Sequence, residues 1–206
     1  MIIRDVGCDA ERREIYHLRY RINVLEQRRT SPFADHDQLS VVDPLDRHST
    51  HIAAWVRNEL VGAVRLSLLS AVDLDYMASM LPASHLASMN IETCSLTSRL
   101  MVAPHQRGST LALRLARATY RAALRQEVHH DYIVCSPHLE SFFTRLGYES
   151  MDFQSNHPEA GPVSAHLLDL RDLARLDRVR SPFASDLRSH ESESNDNPET
   201  RIGVQS

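Results

Sequence analysis

Ser95–Ala112 reads S-L-T-S-R-L-M-V-A-P-H-Q-R-G-S-T-L-A, and its three parts carry three different signals. Ser95–Val102 predicts a strand, Pro104–Ser109 a turn, and Thr110–Glu127 a long helix with Leu111, Leu115, Ala118 and Ala122 on one stripe. The first N–H groups of a helix have no intrahelical acceptor and carry partial positive charge, so the turn is a site for an anion such as a phosphate. Gly108 lets the backbone approach closely, Ser109 or Thr110 supplies a cap or a hydroxyl donor, and Arg107 adds charge. On these residues alone a turn glycine followed by a capping serine is the simpler explanation of the pattern.

Downstream of this unit, Tyr132–Cys135 predicts a brief apolar strand. Pro137–Leu146 predicts a helix with Leu139, Phe142, Phe143 and Leu146 facing inward, closed by Gly147. Ser164–Leu170 reads as a last strand and is followed by a short helix through Val179. Upstream, Ile2–Val6 reads as a strand and Ala10–Gln27 as a helix with Ile15, Leu18, Ile22 and Leu25 on one stripe. Arg28–Ser49 is expected to be a long loop, and a loop of that length in a compact domain is usually functional or mobile. Thr50–Val56 and Leu60–Leu69, separated by Arg57-Asn58-Glu59, predict a hairpin, while Ala71–Asn90 predicts short helical pieces interrupted by Pro82. The order predicts an α/β fold with a mixed sheet, since the hairpin pairs antiparallel and the strand–helix–strand unit parallel. Residues 1–180 are expected to form one domain. Residues 181–206 are expected to be a disordered polar tail, because S-H-E-S-E-S-N-D-N-P-E-T offers almost no apolar surface to offset the entropy of ordering.

Composition removes several classes of function. A net charge of −4 takes away the electrostatic reason to expect nucleic-acid binding. No apolar run approaches the roughly 20 residues that a membrane span needs, and the charged N-terminus does not resemble a secretory leader. Cys8, Cys94 and Cys135 are odd in number and widely spaced, as expected of free thiols in a reducing cytoplasm. Twelve histidines invite a metal reading, yet none stands at ligand spacing, so no metal site is expected.

Val102–Ala112 resembles the acyl-CoA-binding motif of the GNAT acyltransferases, V-x-P-x-x-[QR]-G-x-G-x-[GA]. Leu139–Tyr148, L-E-S-F-F-T-R-L-G-Y, resembles the helix that closes the same family's conserved region, A-x-x-F-Y-x-x-x-G-F. The resemblance covers about Thr50–Tyr148. It implies a GNAT fold in which two central strands splay apart and are flanked by helices. A pantetheine arm would lie in the gap against Leu100, Met101 and Val102, and its pyrophosphate would rest on Arg107, Gly108, Ser109, Thr110, Leu111 and Ala112. Thr110 replaces the family's second glycine, and Phe143 replaces the tyrosine that often protonates the leaving thiolate.

A narrower resemblance links L-R-Y-R-I-N (Leu18–Asn23), D-P-L-D (Asp43–Asp46), V-G-A-V-R-L (Val61–Leu66) and T-S-R-L (Thr97–Leu100) to the acyl-homoserine-lactone synthases and the N-acyl amino acid synthases. Arg19, Asp43, Asp46, Arg65 and Arg99 match the patterns R-Y-x-V-F, D-x-x-D, G-x-x-R-L and E-x-S-R-F. Asn23 and Leu96 depart from them. The resemblance implies an N-acyltransferase that moves an acyl group from acyl-CoA or acyl carrier protein to the amine of a small molecule, by direct attack on the thioester. A non-catalytic acyl-CoA sensor or protein-interaction domain is the alternative.

Each candidate residue also has a plainer explanation. Arg19 would bind a substrate carboxylate or, as an exposed helical arginine, pair with Glu26 or a nearby Asp. Asp43 and Asp46 would hold the acceptor amine or simply cap a turn. Arg65 interrupts an apolar strand and needs a buried partner, either one of these aspartates or a substrate carboxylate. His138, at a helix start, is a candidate general base beside Arg99 in the catalytic set, or a residue touching solvent or a phosphate. Cys94 and Cys135 read as small buried hydrophobes rather than acyl carriers.

Overall fold

A computed structural model describes residues 1–73, 76 and 80–196. Strand β1 (Ile2–Asp5) leads into α1 (Asp9–Tyr20), which runs on as a π-helical segment, Arg21–Glu26. Ile15, Leu18 and Ile22 are buried as expected, but Leu25 is 59% exposed. The wider i→i+5 turn, seen in the bond from Gln27 N–H to the Ile22 carbonyl, rotates Leu25 off the stripe.

The expected loop at Arg28–Ser49 is more ordered than its composition suggests. It holds a small ribbon of β2 (Ala34–Asp35) and β3 (Ser40–Val41), then a 3-10 turn at Pro44–His48. Strands β4 (Thr50–Val56) and β5 (Glu59–Leu68) form the expected hairpin, with Arg57 and Asn58 both at positive φ, as a tight two-residue turn demands. Of the helical pieces expected in Ala71–Asn90, α2 (Ala83–Leu86) is entered from Pro82, and Tyr76 is helical; residues 74, 75 and 77–79 lie outside the described residues. There follow β6 (Cys94–Val102), α3 (Leu111–Arg125), β7 (His130–Cys135), α4 (Glu140–Leu146), β8 (Glu149–His157), β9 (Gly161–Asp169), α5 (Leu173–Arg178) and α6 (Phe183–Asp196).

Two of these elements correct the sequence reading. Strand β8 has no counterpart there, because it is an edge strand whose inward residues are only half-buried, so its polar composition reads as loop. Helix α6 occupies part of the expected disordered tail. Phe183, Ala184 and Leu187 are buried, Phe183 stacks on Tyr120 of α3 at 4.3 Å, and Asp186 pairs with Arg117 at 2.8 Å and Arg121 at 3.1 Å. The apolar start of the segment is enough to dock it once α3 presents a complementary face. Residues 197–206 lie outside the described residues.

The sheet has seven strands in the order β1-β4-β5-β6-β7-β9-β8, antiparallel except where β6 runs parallel to β7. Tyr132 and its neighbour Ile133 belong to separate apolar clusters, so the sheet is covered on both faces. The feature that positions the site is the β6–β7 pairing itself. It spans only Cys94–Leu96 against His130–Tyr132 and then stops, although β6 continues to Val102. Beyond Leu96 the two strands part, and the side of β6 turned from β5 has no strand partner among the described residues. The expected splayed mixed sheet is the one observed.

Candidate active site

A β-bulge lies where the strands part. Ala63 faces Met101 and Arg65 faces Ser98, so Arg99 and Leu100 together oppose Val64. Arg99 takes a φ of +55°, rare for a residue with a side chain. The bulge turns its guanidinium into a buried network: Nε and Nη2 donate to Asp43 Oδ2 at 3.1 and 2.7 Å, and Nη1 donates to Glu159 Oε2 at 2.5 Å.

Asp43 and Asp46 sit at the two ends of a capping box on the 3-10 turn Pro44–His48. Asp43 accepts from the Leu45 N–H at 3.1 Å, and Asp46 accepts from the Asp43 N–H at 2.8 Å. Their remaining lone pairs face arginines. Arg65 Nη1 donates to Asp43 Oδ1 at 2.5 Å and to Asp46 Oδ1 at 2.9 Å, while its Nε reaches Ser98 Oγ at 3.1 Å. Arg19 makes a two-point contact with Asp46 at 2.6 and 2.9 Å and also donates to the Val41 carbonyl. His51 Nε2 lies 3.0 Å from Asp46 Oδ1. The aspartates therefore cap a turn, as their plain reading had it, and also supply the buried partner that Arg65 needs.

Burial by itself raises the pKa of Asp43, but the charges of Arg65 and Arg99 outweigh it and hold the carboxyl below the usual range. Asp46 follows the same balance, with burial opposed by hydrogen bonds from His51 and Arg19, and ends well below the usual range. In Glu159 burial is outweighed by Arg99, and its pKa too is lowered. All three are carboxylates at neutral pH.

Between the parted strands lies a cavity of about 600 Å³. Asp43, Arg65, Arg99 and Glu159 line its polar end; Leu96, Leu100, Ile133, Phe142 and Phe143 form apolar wall. Arg19 and Asp46, both fully buried, do not reach this wall. They stand behind Asp43 and Arg65 and fix them in place. Arg19 does not pair with Glu26, which instead pairs with Arg107.

Of the turn residues, Arg107 and Ala112 line the cavity together with Leu100, Met101 and Val102. Gly108, at φ +77°, together with Ser109 and Thr110, is exposed at the helix start. Ser109 rather than Thr110 caps: its Oγ accepts from the Leu111 N–H at 3.2 Å. Leu111 points into the core, 2% exposed, so its side chain cannot contact a ligand at the turn. Thr110, Ala112 and Leu113 N–H groups have no acceptor among the described residues, as an anion-binding turn requires.

His138 is exposed and lines the cavity where β7 ends. His157 also lines it, and the sequence reading missed it along with Glu159 and Arg29. Glu159 N–H donates to His157 Nδ1 at 3.0 Å, and burial and the Arg99 charge lower the His157 pKa. The imidazole is therefore neutral and carries its proton on Nε2. Phe143 packs edge-on against Phe142 and Tyr148, and the Tyr148 hydroxyl is committed to Asp131 at 2.5 Å. Neither ring offers a proton to the cavity. Cys135 is buried, and burial pushes its thiol up to about 11. Among the described residues no group of three His, Cys, Asp or Glu is arranged to hold a metal, and no helix is long and apolar enough to cross a membrane.

The family model described as N-acyl amino acid synthase FeeM matches residues 14–171, which takes in the network, the splay and the turn. The chain belongs to the FeeM family of N-acyl amino acid synthases. It is an acyltransferase with the GNAT fold. Among solved structures, it is similar to the CoA-dependent acyl-homoserine lactone synthase BjaI with SAM and isopentyl-CoA, at a TM-score of 0.69 and 19% identity over 88% of this chain and 90% of that one. The structure of FeeM from uncultured soil microbes gives a TM-score of 0.66 at 14% identity, covering 90% of this chain and 97% of that one. Escherichia coli ElaA gives 0.59 at 16% identity, covering 82% of this chain and all (100%) of that one. At these identities the structures speak to the fold. No curated protein matches the chain significantly. Within the family, Glu159 had no local signal in the sequence, since it meets Arg99 across 60 residues from the turn between β8 and β9.

Proposed function

We propose that this chain transfers an acyl group from a pantetheine thioester, carried by acyl-CoA or by acyl carrier protein, to the amine of a small molecule, most simply an amino acid. One observation carries the reading: the parted β6 and β7 open into a cavity walled on one side by apolar side chains and on the other by a rigid charged network. A splayed strand edge, a turn with free N–H groups and a cavity of about 600 Å³ fit a donor of this kind. The unpaired edge of β6 at Leu100, Met101 and Val102 would hold the pantetheine amides. The free N–H groups of Thr110, Ala112 and Leu113, with Arg107 once it leaves Glu26, would hold phosphate.

The amine attacks the thioester carbonyl directly, forming the C–N bond while the C–S bond breaks and the electron pair leaves on sulfur. Proximity of the two bound substrates supplies most of the acceleration, and backbone N–H groups of the splayed strand stabilise the oxyanion. Arg99 belongs to the catalytic set by lining the cavity while holding Asp43 and Glu159 in register. His138 is the proposed base. His157 already presents N–H, whereas both His138 ring nitrogens are free of partners among the described residues. With Phe143 buried at the tyrosine position, the thiolate leaves as such or takes a proton from water. A cytoplasmic setting, where both donors are found, suits three free cysteines.

Purified protein should retain CoA or phosphopantetheine detectable by mass spectrometry. It should also release thiol when given amino acids with acyl-CoA or acyl carrier protein donors of graded length. Absence of thiol release from every donor and acceptor would overturn the reading.

A further inference from the structure

The charges at the polar end of the cavity do not balance. Arg19, Arg65 and Arg99 are matched by Asp43, Asp46 and Glu159, each arginine in contact with at least one of these carboxylates. Arg29 lines the same cavity and stands near enough to Glu159 and Arg99 to feel both charges. Its side chain, however, has neither an ion pair nor a hydrogen bond among the described residues. The backbone beneath it is fixed: Arg28 turns the chain out of the π-helical segment at a φ of +53°, and the Arg29 N–H bonds the Asn23 carbonyl at 2.8 Å. A half-buried guanidinium on a rigid mount, with no partner of its own, is poised for an anion brought by a ligand.

We propose that Arg29 binds the carboxylate of the acceptor and makes the enzyme prefer amino acids over amines that lack it. The assignment rests on the acyltransferase reading of this cavity. Burial already disfavours the Arg29 charge, and an incoming carboxylate would relieve that cost. The neighbouring arginines are less suited, because each already has a carboxylate of Asp43, Asp46 or Glu159 as its ion-pair partner. The phosphates of the donor have their own site at the start of α3, where the free N–H groups cluster.

Thiol release is to be measured with L-phenylalanine against phenethylamine and L-leucine against isoamylamine, in the wild type, Arg29→Gln and Arg29→Lys. The wild type should favour the amino acid of each pair. Arg29→Gln should reduce that preference by on the order of 10- to 100-fold, the strength of a charged hydrogen bond, with the loss in acceptor KM. Arg29→Lys should restore part of it. An equal preference in wild type and Arg29→Gln would overturn the proposal, and so would a wild type indifferent to the carboxylate. A rise confined to donor KM would assign Arg29 to the donor phosphate and overturn it as well. If the wild type releases no thiol from any acceptor, the acyltransferase reading fails instead. Calorimetric binding of L-phenylalanine to the wild type and Arg29→Gln then decides the Arg29 assignment by itself, and equal affinities would overturn it.

Discussion

Asp46 carries more of the site than any other single residue, although it never touches the cavity. It takes hydrogen bonds from Arg19, Arg65, His51 and the Asp43 backbone while fully buried. Removing one partner from a buried ion network strands the others, at a cost of about 3–5 kcal/mol. Asp46→Asn should therefore lower unfolding free energy by roughly that amount in urea titration and reduce turnover, because Asp43 and Arg65 lose their backing. Proton linkage gives a second expectation. The folded pKa values of Asp43, Asp46 and Glu159 are all lowered, so the unfolded chain binds more protons. Their stabilisation is complete above the unfolded values of about 4 and is lost as pH falls through the folded ones. Asp131 has the opposite sign. Burial raises its folded pKa, and the stability it confers is present at low pH and lost as pH rises through that value. Urea midpoints between about pH 3 and 7 should thus rise with pH. The rise should be steeper in Asp131→Asn and flatter in Glu159→Gln. Arg65 was legible in the sequence because a charge inside an apolar strand demands a partner. Glu159 and Arg29 were not, since neither breaks a local pattern.

At the scale of elements, the sheet positions the network through one irregularity. The bulge at Arg99 exists only as a relation between β5 and β6. Gly147 closes α4 at φ +116°, and a Cβ there would lie 2.8 Å from Leu176 and 3.1 Å from Leu168. Gly147→Ala combines backbone strain with overpacking and should cost on the order of 1–3 kcal/mol, read as a lower melting temperature. Helix α6 covers Tyr120 through Phe183, so Phe183→Ala should destabilise by about 3–5 kcal/mol. A variant as stable as the wild type would show the helix to be dispensable. The β4–β5 hairpin, the strand–turn–helix of β6 and α3, and the cap at Gly147 were all visible in the chain, because each is set by residues a few positions apart. Strand β8 was missed because an edge strand can be polar on its outer face. Helix α6 was missed because average composition hid the apolar residues at its start.

The whole molecule is organised around a gap between two strands. Donor binding should strengthen with acyl length by about 0.8 kcal/mol, close to fourfold, for each methylene that enters the apolar wall. It should level off once that wall is filled. A donor series assayed by thiol release tests this, and Val134→Trp, which adds bulk at the wall, should move the plateau to shorter chains. A flat profile from acetyl onward would exclude the apolar wall as the acyl site. The sequence by itself determined the fold class and the turn Pro104–Ser109, because strand period, helix stripe and turn glycine act over neighbouring residues, while Arg19, Asp43, Asp46, Arg65 and Arg99 were marked by their resemblance to family patterns. Only the tertiary structure decided that Arg19 and Asp46 stand behind the site, that Glu159 completes it, and that Arg29 is left without an ion pair or hydrogen bond among the described residues. The burial and pairing of a charge depend on segments far apart in the chain, and no local period records which of them meet.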